Sequence, residues 1–411
     1  MILSDDLTVL ANALRRDRRR DPLKGRREYS QAARELADHC ERMVADGNAK
    51  IAVPVLRKAV DRMTSALMYM DDSSGIVGTD LHHMMGLYAR ACTAAPPGPV
   101  SLARWLVALS FDGPGWPEIR LADFVPALGA EGLAELSTEV DKRAAVAEPG
   151  SWGQQFATRD LQEQLAEVSG DVDLHVAVLA RNLNSARQYQ RIVAALRDAG
   201  RPAEAIDWAR RGLADHGGGS HADRLRDMLV DLQIDAGDVE AAVAVRRADF
   251  ERRPTANAHR ALLLTARRCA ADAGLADWAI AVLRARVARQ PTYADDLVMV
   301  LLAEDRPDEA WEAGLDHADM LSERGLIDLL ELRRTSHPQD VLEPYQKMIG
   351  TRILVAADKR RYRFAIGLLR NLRDAYFAVG DAAGFAMYID HLRAEHRRRT
   401  TFIADLDAAA L

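Results

Sequence analysis

Cysteine is scarce: Cys40, Cys92 and Cys269 are the only three in 411 residues, and they form no C-x-x-C pair. Their wide spacing gives neither a disulfide framework nor a cysteine zinc site, and it fits a reducing cytoplasm. Aromatic residues make up only 6% of the chain. The core must therefore be built from small and aliphatic side chains, which lose least on entering a helix. Lysine supplies only six of the 55 basic residues, and with abundant Ala this bias points to a GC-rich bacterial source. Long apolar runs are missing. Ile51-Ala-Val-Pro-Val-Leu56, among the longest candidates, is broken by Arg57 and Lys58, far short of the ~20 residues that span a bilayer. The opening Met1-Ile-Leu-Ser-Asp-Asp6 has no basic stretch followed by an apolar one, so no signal peptide is expected. G-x-x-x-x-G-K-[ST], G-x-S-x-G and a strand-borne G-x-G-x-x-G are all absent. Nucleotide binding and serine-hydrolase chemistry therefore have no support.

What is present is helical patterning. Hydrophobic residues at 48% and charged residues at 28% describe a folded chain. Net charge is −6, unevenly spread, with basic stretches at Arg15–Arg27 and Lys347–Arg399. In the second half a motif recurs: Gly200-Arg-Pro-Ala-Glu-Ala-Ile206, Gly237-Asp-Val-Glu-Ala-Ala-Val243, Gly274-Leu-Ala-Asp-Trp-Ala-Ile280 and Asp305-Arg-Pro-Asp-Glu-Ala-Trp311. The spacings are 37, 37 and 31 residues, with a weaker copy at Gly380. A degenerate unit fits between the last two, with His337-Pro-Gln-Asp340 starting its second helix. Each leading Gly or Asp suits the end of a first helix, where the turn needs positive φ. Ala205, Ala242, Ala279 and Ala310 suit a close crossing of two helices. Trp278, Ala281, Val282 and Ala285 fall at i, i+3, i+4, i+7 and are expected to extend the buried stripe. Pro254 and Pro291 are expected to stop the second helices.

These features resemble the tetratricopeptide (TPR) pattern, W-x₂-L-G-x₂-Y … A-x₃-F … P. Its Leu position falls on Ile192, Leu229, Ala266 and Leu297. Its early Trp position falls on Tyr189, Arg226, Leu263 and Ala294, and the units are longer than the family's. Upstream, amphipathic helices are predicted near Arg27–Ala45, Ala49–Met70, Leu81–Ala95 and Val100–Phe111, with a boundary near Ala147–Gly153. The predicted organisation is all-α: an N-terminal helical domain over residues 1–150, then a TPR-like α-solenoid of helical hairpins over 151–411.

A second resemblance runs nearly the length of the chain. Asp71-Asp-Ser-Ser-Gly-Ile-Val-Gly78, Tyr88-Ala-Arg-Ala-Cys92, Ser169-Gly-Asp-Val-Asp173, Ala177-Val-Leu-Ala-Arg-Asn-Leu183, Gly200–Ala209 and His391–Arg399 resemble the helical region that follows the zinc finger in bacterial SWIM zinc-finger proteins. The finger itself, C-x-C followed by C-x-H, is absent, so its zinc and DNA binding transfer to no residue here.

The remaining candidate motifs dissolve on inspection. In His391-Leu-Arg-Ala-Glu-His396 the two histidines stand at i, i+5, about 140° apart around a helix, and cannot share an ion. His82 and His83 are adjacent and diverge. His216-Gly-Gly-Gly-Ser220 reads as a flexible connection between repeats. Asp171 and Asp173 read as a turn and an N-cap. No catalytic, cofactor-binding or metal-ligating residue is assigned. One surface feature stands apart: Lys359, Arg363, Arg370 and Arg373 fall within an arc of about 80° on one helix, opposite Phe364, Leu368, Leu372 and Ala375. This basic ridge, backed by Arg397, Arg398 and Arg399, is the candidate partner-binding surface. The sequence thus predicts a non-catalytic scaffold for a protein or peptide partner. The alternative is a nucleic-acid-associated accessory protein that binds through its basic ends.

Overall fold

The computed structural model describes residues 9, 11–15, 26–146, 150–358 and 360–411. Among these every regular element is helical, and tandem antiparallel hairpins build an all-α solenoid. The first four long helices are α1 (Arg26–Ala45), α2 (Ala49–Leu67), α3 (Ile76–Ala94) and α4 (Pro99–Asp112). They match the four stretches expected from amphipathic spacing. A 3₁₀ turn at Leu121–Phe124 leads into α5 (Val125–Val146), followed by α6 (Trp152–Val168) and α7 (Val172–Leu179). The repeats follow as α8 (Ala186–Asp198), α9 (Pro202–Asp215), α10 (Gly219–Asp235), α11 (Val239–Arg252), α12 (Ala256–Arg268) and α13 (Leu275–Val287). The rest are α14 (Ala294–Ala303), α15 (Pro307–Asp316), α16 (Glu323–Ser336), α17 (Leu342–Met348), α18 (Arg361–Ala378), α19 (Ala382–Glu395) and α20 (Thr400–Ala408). A π turn, Ile349–Ile353, follows α17.

The chain folds as two compact units, Met1–Leu225 and Arg226–Leu411. The change in sequence patterning near residue 150 and this division in compactness are thus at different places. In the first unit Tyr88 is fully buried, with its ring 5.0 Å from Trp105 and 6.0 Å from Phe124. Polar ties cross the same core. Buried Asp80 on α3 accepts from Ser30 and, at 2.8 Å, from Arg34 Nε, both on α1. Trp105 Nε1 on α4 donates to Asp61 on α2 at 2.8 Å.

The recurrent turn has one geometry at four places. Gly200, Gly237, Asp305 and Gly380 take φ of 71°, 78°, 56° and 78°. At each, the next residue's N–H returns to a carbonyl five residues back: Arg201 to Leu196, Asp238 to Gln233, Arg306 to Leu301 and Asp381 to Tyr376. This is the Schellman closure, which satisfies the orphan carbonyls of a helix end. Gly274 departs from the expectation. Helix α12 stops at Ala270, whose φ is 50°, with Ala271 N–H bonding Ala266 O at 2.9 Å. Gly274 instead stands at the N-cap of α13, with φ 72°.

The small residues sit where close crossing requires them: Ala205, Ala242, Ala279 and Ala310 are all fully buried. So are the Leu-position residues Ile192, Leu229, Ala266 and Leu297, each at most 4% exposed. The early Trp position is buried too, and its replacements come with matched partners. Tyr189 lies over Gly212, where a Cβ would stand 2.6 Å from the ring. One unit later, buried Arg226 meets Asp249 at 3.1 Å. The expected stripe on α13 is corrected. Ala281 and Ala285 are exposed and Trp278 and Val282 are only partly buried, whereas Leu275, Ala279, Ile280, Leu283 and Val287 form the buried face. Trp278 stays at the edge because its ring packs on Phe250, 5.8 Å away, beneath the Arg247 guanidinium.

Candidate partner-binding surfaces

Positions next to the left-handed turns carry an ion-pair ladder between neighbouring hairpins. Gly170 opens one more turn of this type, with φ 75°; it precedes the repeats recognised in the sequence. Asp173, three residues on, pairs with Arg201 of the next turn at 2.7 Å. The arrangement recurs between Asp277 and Arg306. Asp308, again three residues past a turn, pairs with Arg333, which also meets Asp340 at 2.7 Å. Arg201 is further held by Glu204 at 2.6 Å. The hydrogen bonds that Arg201 donates to Glu204 and Asp173 push its pKa up. Asp171 caps α7 by accepting the Leu174 N–H at 2.9 Å, as expected for a helix start.

A polar groove runs along α6 in the first unit, between the 118–122 segment and α8. Its floor is Glu163, buried and accepting from Arg191 and, at 3.3 Å, from Gln188. Gln164 ties the wall together: it accepts the Leu121 N–H at 2.6 Å and donates to Ile119 O at 2.9 Å and Asp160 Oδ2 at 2.8 Å. Burial pushes the Asp160 carboxyl up, opposed by the Gln164 bond. On the opposite lip, the side chains of Asn182, Asn184 and Arg187 hold no hydrogen bond or ion pair among the described residues. Phe156, 58% exposed, stands at the groove with Arg159 over its ring. Sequence patterning gave no hint of this groove, because its members come from three separate segments.

Of the predicted ridge, Lys359 lies outside the described residues, as do residues 16–25 of the first basic stretch and residues 147–149 of the predicted boundary. Arg363 and Arg370 are exposed on α18, while Arg373 is half-buried and pairs with its neighbour Asp374 at 3.4 Å. On the other face Leu368, Leu372 and Ala375 are buried as expected, but Phe364 is 42% exposed. Phe364 belongs to the first turn of α18, ahead of the point where α19 covers the helix. There Tyr376 meets Phe385 with ring centroids 5.8 Å apart, and Ile389 and Leu392 complete the contact. The ridge is thus no continuous stripe; its basic character concentrates at the start of α18.

The other motifs take structural places. His82 and His83 are exposed on α3. His216 is tied down, Nε2 lying 2.8 Å from Leu183 O and the ring against Tyr189. His396 lies past the end of α19, its ring 5.8 Å from Phe402. Cys40 and Cys92 are buried and Cys269 half-buried; burial pushes the Cys92 thiol up to about 11 and the Cys40 thiol up to about 12. Among the described residues no group of three His, Cys, Asp or Glu is placed to hold a metal ion. Nor is any described helix long and apolar enough to cross a membrane.

No family model and no curated protein matches the chain. Solved structures align along most of its length at low identity. A human IFIT1 dimer with m7Gppp-AAAA is 15% identical, covering 95% of each chain, with a TM-score of 0.24. The P58(IPK) TPR domain is 14% identical, covering 84% of this chain and 99% of its own, with a TM-score of 0.21. A circular tandem repeat protein covers all of this chain at 14% identity and a TM-score of 0.16. Superpositions this loose assign no function.

Proposed function

We propose that this chain is a non-catalytic helical-repeat scaffold that seats an extended peptide segment of a protein partner in the groove along α6. The observation that carries this reading is the unused hydrogen-bonding capacity of Asn182, Asn184 and Arg187 on one lip. An extended backbone offers alternating N–H and C=O groups, and an Asn amide supplies both a donor and an acceptor to match them. The charge balance favours the same occupant. Glu118, Asp160, Glu163 and Glu167 share the groove lining with Arg120, Arg159, Arg187 and Arg191. A polyanion needs a basic track, whereas a peptide of mixed charge does not.

The kinship with the helical region of bacterial SWIM zinc-finger proteins belongs to this proposal as well. It supports an accessory role in a bacterial cytoplasm, with no cofactor of its own. Selection of a displayed random-peptide library on the purified full chain tests the groove. Enriched peptides are expected to lose affinity by about tenfold or more against the Asn182→Ala/Asn184→Ala/Arg187→Ala variant. No enrichment, or equal binding to the variant, would overturn the reading.

A further inference from the structure

Two basic runs far apart in sequence meet at the end of the second unit. Arg360-Arg361-Tyr362-Arg363 opens α18, and Arg397-Arg398-Arg399 forms the turn before α20. Arg399 Nη1 donates to Leu354 O at 2.8 Å. The Tyr362 ring stands 5.3 Å from Phe402 on α20. These contacts hold the Arg397–Arg399 turn against the segment that leads into α18.

The charge assembled there is little compensated. Arg361 and Arg399 donate to backbone carbonyls, of Ala356 and Leu354, and a carbonyl dipole leaves the cationic charge in place. Arg363, Arg397 and Arg398 form no ion pair among the described residues, and all three are exposed. Arg360 has only its near neighbour Asp358, at 3.5 Å, with both side chains open to solvent. Glu323 and Asp358 are the carboxylates lining the socket among the described residues, and exposed Glu395 precedes the Arg397–Arg399 turn.

Beside these cations lies an apolar socket, between Ile353 and Ala356 on one side and Phe364 and Gly367 on the other. A Cβ at Gly367 would meet nothing within 4 Å. Phe364 leaves 42% of its surface uncovered although the chain has only eight phenylalanines in all. An aromatic ring and arginines around a small cleft are the residue types that dominate binding energy at protein interfaces.

We propose that this surface docks an acidic peptide segment of a partner protein, which inserts one apolar side chain into the socket bounded by Ile353, Ala356, Phe364 and Gly367 while its carboxylates meet Arg360, Arg363 and the Arg397–Arg398 turn. Nucleic acid fits less well. Beyond the first turn of α18 the cations thin out to exposed Arg370 and to Arg373, half-buried beside Asp374. A net charge of −6 also opposes a long polyanion more than a short acidic segment, whose apolar anchor adds binding that salt does not screen. This site lies in the second unit and stands apart from the α6 groove, so either can fail alone.

The test uses the full chain and three fluorescein-labelled probes: a short Asp/Glu-rich peptide with one central Trp, the same peptide with Ala for Trp, and an oligouridylate of equal charge. Fluorescence anisotropy is expected to rank the Trp peptide first. The Arg360→Glu/Arg363→Glu/Arg398→Glu variant should weaken it by about tenfold or more. Gly367→Leu, which fills the socket, should weaken the Trp peptide and leave the Ala peptide unchanged. If Gly367→Leu does not fold, Phe364→Ala replaces it, with the same selectivity expected. The proposal is overturned if the oligouridylate binds most tightly, if the Trp and Ala peptides bind alike, or if charge reversal leaves affinity unchanged at an unaltered circular-dichroism spectrum.

Discussion

Arginine is used in two ways along this chain. Arg201 and Arg306, just before α9 and α15, and Arg333, within α16, each bridge to a carboxylate in the first turn of an earlier helix: Asp173, Asp277 and Asp308. At the start of α18 and in the Arg397–Arg399 turn, arginines meet carbonyls or solvent, apart from the exposed contact of Arg360 with its near neighbour Asp358. The residue type is shared, but Arg201, Arg306 and Arg333 are part-buried beside their carboxylates, whereas Arg360, Arg363, Arg397 and Arg398 are exposed. A bridged guanidinium ties one hairpin to the next, and its charge is consumed within the fold. An unbridged one keeps its field for something outside. The six lysines cannot provide that contrast, and the planar guanidinium suits both bidentate bridging and packing on a ring.

The largest effect concerns whether the unbridged end is as firmly folded as the bridged stack. Leu372 on α18 is fully buried, so Leu372→Ala should cost about 2–5 kcal/mol in urea unfolding. A loss below about 1 kcal/mol would mean that the end is loosely packed, and the comparison would reduce to order against disorder.

Backbone geometry gives the next effect, in opposite directions at two turns. Gly237→Ala forces a methyl group into a left-handed turn at φ 78° and should destabilise by about 1–2 kcal/mol. Ala270 already occupies that region, at φ 50°. Ala270→Gly should therefore stabilise, by up to about 1 kcal/mol. Equal signs in thermal unfolding would contradict the assignment of both turns.

Titration sharpens the picture inside the stack. Burial holds the His259 pKa below its ordinary 6.5, against the pull of Glu304 3.5 Å away and with a further push down from Arg267. Stability tied to neutral His259 is complete above pH 6.5 and is lost as pH falls toward the lower folded-state value. His259→Phe should flatten that part of the stability–pH curve measured by urea unfolding. A curve of unchanged slope would show that His259 is not the titrating group.

The smallest effect belongs to single rungs of the ladder. Arg306→Gln should lower stability slightly at low salt and not at all at high salt, since exposed pairs are screened. A salt-independent loss would point to packing instead.

Much of the fold is legible in the sequence because its signals are local. Helical periodicity located α1 to α4 within a few residues, and the turn residues marked four Schellman closures. The small buried Ala at each crossing was legible for the same reason. The α13 face was misread because Trp278, Ala281, Val282 and Ala285 satisfy helical spacing as well as the true stripe does, and neighbours decide which face is covered. Gly274 was misplaced because Ala270 ends α12 in a conformation that composition does not announce. For the site, spacing placed Arg363 and Arg370 correctly on exposed helix surface. It could not show that Phe364 is uncovered, or that the Arg397–Arg399 turn is held against the segment leading into α18. Those facts depend on long-range packing, as does the groove along α6.

The division between bridging and available arginines is tested most directly by two triple variants in one salt series. Each is measured for urea stability and for binding of the Trp-containing acidic peptide. Arg201→Gln/Arg306→Gln/Arg333→Gln should lose stability and keep binding. Arg360→Gln/Arg363→Gln/Arg398→Gln should lose binding, by about tenfold, and keep stability within about 0.5 kcal/mol. Loss of the same property in both variants, or an exchange of the two roles, would contradict the division.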